Sequence, residues 1–579
     1  MANSKSKIIV VGGGLAGLMA TIKLAEAGYS IDLISMVPCK RSHSVCAQGG
    51  INASVNTKGE GDSPQIHFEE TIYGGDFLAN QPMVRDMCEN APSFIYMLDR
   101  MGVQFNRTGE GLIDFRRFGG TRFHRTAFAG STTGQQMLYA LDEQVRRFEV
   151  EGKVTRYEGW EFLSAVIDDQ NISRGLVAMN LNTFELRVFR SDAAIFATGG
   201  PGMIYGRSTN SMICTGAAAG ALFQQGVWYA NGEFIQVHPT AIAGEDKNRL
   251  ISEAVRGEGG RVWTYKDGKR WYFLEEWYPK YGNLVPRDIA SRAIFKVCRE
   301  MKLGIDGQDV VYLDISHIDQ KILKQKLGGI LEIYEKFMNE DPSKVPMRVF
   351  PSVHYSMGGI YIDSRHMTNL PGILAAGECD YQYHGANRLG ANSLLSCLHG
   401  GIVAAKRAGE YVEGLATHAE SAGSKWFDQQ LKKEETRNEE ILRSHGKENP
   451  YQIWEEMGKI MTDHVTVTRY NKKLKETDEV LQTLKKRLQD ININDVSKRA
   501  NQTLVFTRQL ANMLELARVI TLGALARNES RGAHYKPEYP NRDDANWLKT
   551  TVAKYTPSGP QLAYEEVDIS LLKPRERKY

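Results

Sequence analysis

Gly12, Gly14 and Gly17 stand in a G-x-G-x-x-G directly after the apolar run 8–11 and before the helical run 18–27. The chemistry open to that spacing is pyrophosphate binding: without side chains the backbone can approach phosphates closely, and the following helix offers them its positive end. A bare match is weak, because an ordinary tight turn between strand and helix reads the same. The order strand, turn, helix, strand, completed by the apolar run 31–34 within about 30 residues, favours the dinucleotide reading. An acidic residue ordinarily ends the second strand and holds a ribose; here that place is taken by Ser35, a weaker acceptor. The seven cysteines, at 39, 46, 88, 214, 298, 379 and 397, include no C-x-x-C pair. Neither zinc nor an iron–sulfur cluster finds its ligand spacing, no metal site is expected, and reduced thiols are the simplest reading.

These residues need a scaffold, and the chain is long enough for several. A single core stops growing near 250–300 residues, so about two to four domains are expected from 579 residues. With 42% hydrophobic and 24% charged residues the composition is that of a globular protein and excludes disordered and fibrous classes. The net charge of +3 is the small difference between 72 basic and 69 acidic residues, which excludes a general nucleic-acid binder. The run 8–11 is too short for a signal-peptide core and no stretch of 18 apolar residues follows, so the chain is expected neither to cross nor to enter a membrane. Short apolar strands ending in glycine recur at 193–200 and 372–377, separated by a charged, aromatic-rich region that reads as an insertion into the sheet. From about Ser424 the texture becomes helical and charge-rich, and Phe506, Leu510, Met513, Leu514, Ala517 and Ile520 fall on one helical face. Residues 529–579 are polar and spaced with prolines, the pattern of an irregular tail wrapped over a surface. No internal repeat or low-complexity tract is present.

Ala197-Thr198-Gly199-Gly200 and Ala375-Ala376-Gly377-Glu378 resemble the later nucleotide-contacting strands of two-part FAD-binding flavoproteins, which points to FAD over NAD. In such proteins the acid after the last glycine accepts hydrogen bonds from the ribityl chain, the place held by Glu378. From Arg41-Ser42-His43-Ser44 and Ala47-Gln48-Gly49-Gly50 onward, the sequence resembles the flavoprotein subunits of succinate dehydrogenase and fumarate reductase. Further stations are His238-Pro239-Thr240, Ser252-Glu253, Arg256-Gly257-Glu258-Gly259-Gly260, Pro286-Arg287-Asp288, His354-Tyr355-Ser356-Met357-Gly358-Gly359, the run 385–393 and the run 527–534. The fold this implies is α/β: a Rossmann-like FAD-binding domain (1–240 and 351–415) with an inserted α+β capping domain (241–350), then a helical domain (416–530) and an irregular C-terminal segment (531–579).

The resemblance implies FAD attached covalently through its 8α carbon to His43, which by itself reads as a solvated loop histidine. Gly12, Gly14, Gly17, Ser35, Ser42, Ser44, Gln48, Gly49, Gly50, Thr198, Gly199, Glu378, Asn392, Ser393 and Leu394 are its expected surroundings. An adenosine contact made in some relatives by an aspartate is not carried over, because Ala217 stands there. His238, Ser252, His354 and Arg388 match the family's donors to the two carboxylates of succinate or fumarate, and arginine suits that task because its planar fork can bind a carboxylate bidentately. Arg287 matches the proton shuttle, with Glu253 and Arg256 as the route to solvent. The reduced flavin must lose its electrons, and the resemblance supplies the partners: an iron–sulfur subunit and, through it, a cytochrome b-type membrane anchor that handles quinone. The chain would then be peripheral at the cytoplasmic face of the membrane. The nearest rival is L-aspartate oxidase, which shares fold and pocket; His43, and Met357 in place of a cysteine, speak against it. A flavoprotein acting on RNA would need a basic face that this charge balance does not provide.

Overall fold

In the computed structural model, which describes residues 5–578, the site is positioned by strands β1 (Lys5–Val11), β2 (Tyr29–Ser35), β3 (Val154–Glu158), β4 (Ala193–Phe196), β5 (Ile235–Ile242), β6 (Met347–Ser356) and β7 (Ile373–Ala375). The helices that matter are α1 (Leu15–Glu26), α2 (Arg287–Phe295), α3 (Asn392–Glu413) and α4 (Gln502–Ala526). Five strands form a parallel sheet in the order β7-β4-β1-β2-β3. Its centre reads as an unbroken apolar run because parallel strands are covered on both faces. Along β1 the side chains alternate: Ile8 and Val10 join a core with Leu18 and Ile22 of α1 and Leu395 and Leu398 of α3, while Ile9 and Val11 join another with Phe162, Leu222 and Leu514. The third fingerprint glycine is explained by packing, since a Cβ on Gly17 would stand 1.9 Å from the carbonyl oxygen of Gly12.

The insertion is built on a six-stranded antiparallel sheet in the order Arg249–Leu250, β5, β6, Val311–Asp314, Arg261–Lys266, Lys269–Trp271. The domain boundaries expected at 240/241 and 350/351 fall inside β5 and β6. Those two strands pair with each other and carry the chain from one domain into the other, so no turn marks the passage. In the helical region α4 is buried all round: besides Leu510, Met513, Leu514, Ala517 and Ile520 it buries Arg508, Gln509 and Arg518, which bond Glu434, Glu161 and Asp478. The one-sided face expected from sequence is part of a central helix whose polar positions are paired.

The tail departs from its expected irregularity. Lys549–Lys554 and Gln561–Glu566 pair as an antiparallel ribbon that joins Tyr229–Ala230 of the FAD-binding part. Beyond it, Gln81 and Leu572 exchange two hydrogen bonds of 2.8 and 2.9 Å. Arg577 then reaches the first turn of α2, holding Asp288 at 3.0 and 3.3 Å and Asp76 at 3.4 Å. Asp288 is almost fully buried, so truncating its partner strands a carboxylate. Arg577→Ala should cost about 3 kcal/mol, seen as a lower midpoint of thermal unfolding that adding Asp288→Asn partly restores; an unchanged midpoint would show the contact to be idle.

Candidate functional site

One cavity of about 680 Å³ gathers most of the residues singled out from sequence. Gly12, Gly14, Ser35, Ser42, His43, Ser44, Gln48, Gly49, Gly50, Thr198, Gly199, Glu378, Ser393 and Leu394 line it together with His238, Ser252, Glu253, Arg287, His354 and Arg388. Three do not reach it. Gly17 serves helix packing, Arg256 lies behind Glu253, and Asn392 is committed to the protein: its Oδ1 receives Asn52 Nδ2 at 2.8 Å and lies 3.0 Å from His67 Nε2, while its Nδ2 donates to Thr71 Oγ1 at 2.9 Å. An asparagine so fully bonded has nothing left for a cofactor, which corrects its expected role.

The polar wall is built from strand register and loop geometry. β5 and β6 place His238 and His354 side by side, their ring centroids 5.1 Å apart. His238 Nδ1 faces Thr240, and Nε2 has no hydrogen-bond partner among the described residues. His354 Nδ1 lies 2.7 Å from Thr209 Oγ1. Burial, then the charge of Arg287, holds both imidazoles well below the usual histidine range, so both are neutral. Arg388, in the loop before α3, lies over the Tyr355 ring at 4.3 Å with its Nε unpartnered among the described residues. Burial and then repulsion from Arg287 push its pKa down to about 9. Ser252 Oγ accepts the backbone N–H of Ala254 at 3.2 Å.

Arg287 opens α2 directly after Pro286. Its Nε donates to Glu253 Oε2 at 2.7 Å and its Nη1 to Gln236 Oε1 at 3.0 Å. Glu253 Oε1 accepts the Gly119 N–H at 2.9 Å and lies 3.4 Å from Arg256 Nη2. Any Cβ at Gly119 would come within 2.2 Å of that oxygen. Burial alone would raise the Glu253 pKa, but the two flanking guanidiniums outweigh it and keep the carboxylate ionised. Arg256 Nη1 continues the line to the carbonyl of Asn283 at 2.7 Å, toward the half-buried residues 281–284.

At the other end the residues fit FAD. Gly12, at φ +116°, packs against Ala197 so closely that a Cβ would meet its oxygen at 2.2 Å, leaving bare backbone toward the cavity. His43 Nδ1 accepts the Ser211 N–H at 3.1 Å, and Nε2 lies 3.2 Å from Asn210 Nδ2. Burial, reinforced by Lys247, lowers the His43 pKa to about 4, so the ring is neutral and nucleophilic. Glu378 accepts the Ser356 N–H at 3.1 Å, and burial lifts its pKa to about 7. The N-terminal end of α3 reaches the same cavity through Ser393 and Leu394 and favours negative charge there.

Several contributors escaped the sequence reading. Gln236 is two residues before His238 on one face of β5, a period-two signal that was available. Thr209 and Asn210 sit in an unremarked polar turn, and Lys247 lines the cavity beside His43. Glu161 interrupts an otherwise apolar strand, Trp160–Ile167, and also lines the cavity.

Comparison with known proteins agrees with this geometry. Residues 7–394 match the FAD binding domain family and residues 454–579 the fumarate reductase flavoprotein C-terminal family. The chain is 65% identical to the succinate dehydrogenase flavoprotein subunit of Bacillus subtilis (strain 168), over 100% of this chain and 99% of that one. Its fold is similar to that of the flavoprotein in a variant of Escherichia coli quinol fumarate reductase, with a TM-score of 0.93 and 34% identity over 99% and 98% of the two chains. A quinol–fumarate reductase solved with menaquinol molecules gives 0.92 and 34% over 99% and 100%.

Proposed function

The chain belongs to the flavoprotein subunits of succinate dehydrogenase and fumarate reductase, and on that premise we propose that its cavity interconverts succinate and fumarate beside an FAD tethered to His43. It is an FAD-dependent oxidoreductase. The observation that carries the finer reading is the single cavity with a glycine cradle and a neutral histidine on one side and four carboxylate donors with an arginine–glutamate pair on the other.

His238, Ser252, His354 and Arg388 bind the two carboxylates, the histidines as neutral donors and Arg388 as the fixed charge. When bound, FAD supplies the two-electron acceptor or donor for hydride. In the oxidative direction one carbon of succinate gives up a hydrogen with its electron pair, and the neighbouring carbon gives a proton to Arg287, leaving a carbon–carbon double bond. In the reductive direction Arg287 returns the proton. Glu253 and Arg256 connect Arg287 to the surface by contacts of 2.7 and 3.4 Å.

Attachment at His43 fits the tautomer. With Nδ1 already accepting from Ser211, Nε2 is the nitrogen that takes the carbon, and the Ser211 bond survives the change. Succinate is a reluctant hydride donor, so a flavin of raised potential is required, and a covalent link and the nearby Lys247 charge both work in that direction.

Electrons then pass to an iron–sulfur subunit and through it to a cytochrome b-type anchor and quinone. The resemblance and the menaquinol held by a solved relative support this. No helix among the described residues is long and apolar enough to cross a membrane, which suits a peripheral subunit at the cytoplasmic face.

The test is acid precipitation. The parent protein should leave a fluorescent yellow pellet and His43→Ala a colourless one with the flavin in the supernatant. Flavin released entirely from the parent would overturn the tether.

A further inference from the structure

The cavity has a second pole, away from the carboxylate donors. Residues 35–37, which follow β2, meet there with residues 160–162 and 215–218. A dinucleotide fold sets the adenosine against the end of its second strand, and the adenosine half presents hydrogen-bond donors, namely the ribose diol and the purine amine. The side chains nearest by position offer little to them. Ser35 Oγ gives its proton to the Val37 carbonyl at 2.7 Å and keeps only its lone pairs, and Ala217 presents a methyl group.

Glu161 is different. Only 5% of it is exposed, and its two oxygens are unequally used. Oε1 accepts Gln509 Nε2 of α4 at 2.8 Å, whereas Oε2 is buried with no hydrogen-bond partner among the described residues. A buried carboxylate oxygen left unpaired is costly, and a residue that also lines the cavity can be satisfied from it.

We propose that Glu161 is the acceptor for the adenosine half of FAD, held in place by Gln509 of the helical domain. This rests on the reading that the cavity holds FAD and adds to it a residue and a domain. It explains why α4 carries a buried polar row: one member reaches across to orient the group that holds the cofactor's far end. Burial lifts the free carboxyl to about 7, and a donor on Oε2 would draw it toward the ionised form.

The experiment uses the full chain with His43→Ala, so that flavin binds reversibly, and measures dissociation constants for FAD and for FMN by flavin fluorescence. Glu161→Leu should weaken FAD roughly tenfold or more, the loss of a charged hydrogen bond, and leave FMN, which has no adenosine, within twofold. Glu161→Gln, which keeps the shape and an acceptor oxygen, should fall between. Unchanged FAD affinity, or an equal loss for FMN, overturns the proposal. A His43→Ala parent that binds neither flavin overturns the FAD reading and this proposal with it, whereas failure of Glu161 alone leaves the parent's FAD binding intact.

Discussion

Arg287→Ala should abolish turnover in both directions, by about a thousandfold or more, while the flavin stays bound. General acid–base groups contribute typically 10²–10⁴ in rate, and the buried surroundings of Arg287 bring in no second proton donor of similar reach: His238 and His354 are held neutral, and Glu253 is held ionised by its guanidinium neighbours. The two directions ask different things of the same side chain. As an acid toward fumarate an arginine needs no adjustment. As a base toward succinate it must pass through a neutral form that costs about 7 kcal/mol at neutral pH for an unperturbed guanidinium. Arg388 pushes toward that form by repulsion, and Glu253 pulls against it through its 2.7 Å contact. The relay resolves the conflict if the proton leaves along Glu253 and Arg256 as it arrives. Arg287→Lys should recover little, since one ammonium cannot hold both Glu253 Oε2 and Gln236 Oε1. Steady-state rates of succinate oxidation and fumarate reduction with artificial redox partners, set beside the flavin absorbance, decide the matter. Turnover within tenfold of the parent in either direction would move the shuttle to another residue.

The sequence showed more of the site than of the walls that hold it. Gly12 and Gly14, His43, and the donors from His238 to Arg388 are readable because their types and neighbours are unusual in any other setting, and the structure brings them to one cavity. Asn392 misled because it stands among residues that do line the cavity, yet the N-terminal turn of α3 points it backwards into Asn52, His67 and Thr71. A linear motif carries no sign of which way each member faces. The domain boundaries at 240 and 350 misplaced the cap for a related reason: β5 and β6 are single strands used by two domains, and hydrophobic periodicity does not change along them. The ribbon Lys549–Lys554 with Gln561–Glu566 was hidden by prolines at 557 and 560, which lie in the connection and leave the ladder intact. Glu161 left a faint trace, one acid in an apolar strand, whose meaning appears only when Gln509 arrives from far along the chain.

Arg388→Lys keeps the formal charge and should nonetheless raise the KM for succinate and for fumarate about a hundredfold, because charge is the lesser part of what the arginine supplies. Its guanidinium lies flat over Tyr355 at 4.3 Å, which fixes the plane of the fork, and its Nε has no partner among the described residues. A planar fork so held can meet a carboxylate with two parallel bonds, each charge-assisted bond worth about 1.5–3 kcal/mol. Lysine offers one tetrahedral ammonium on a stem that must order itself on binding, and it stacks less well on the ring. It also ionises less readily in this position. Burial and the charge of Arg287 already push the more basic arginine to about 9, so the same forces acting on a lysine, whose unperturbed pKa is about 10.4, leave part of it neutral near pH 7. The loss should therefore grow as pH rises from 6 to 8 in Arg388→Lys and stay flat over that range in the parent, whose two histidines remain neutral throughout. A lysine variant with an unchanged KM and no added pH dependence would show that Arg388 acts as a point charge, and the two-point grip on the carboxylate would have to come from the histidine pair.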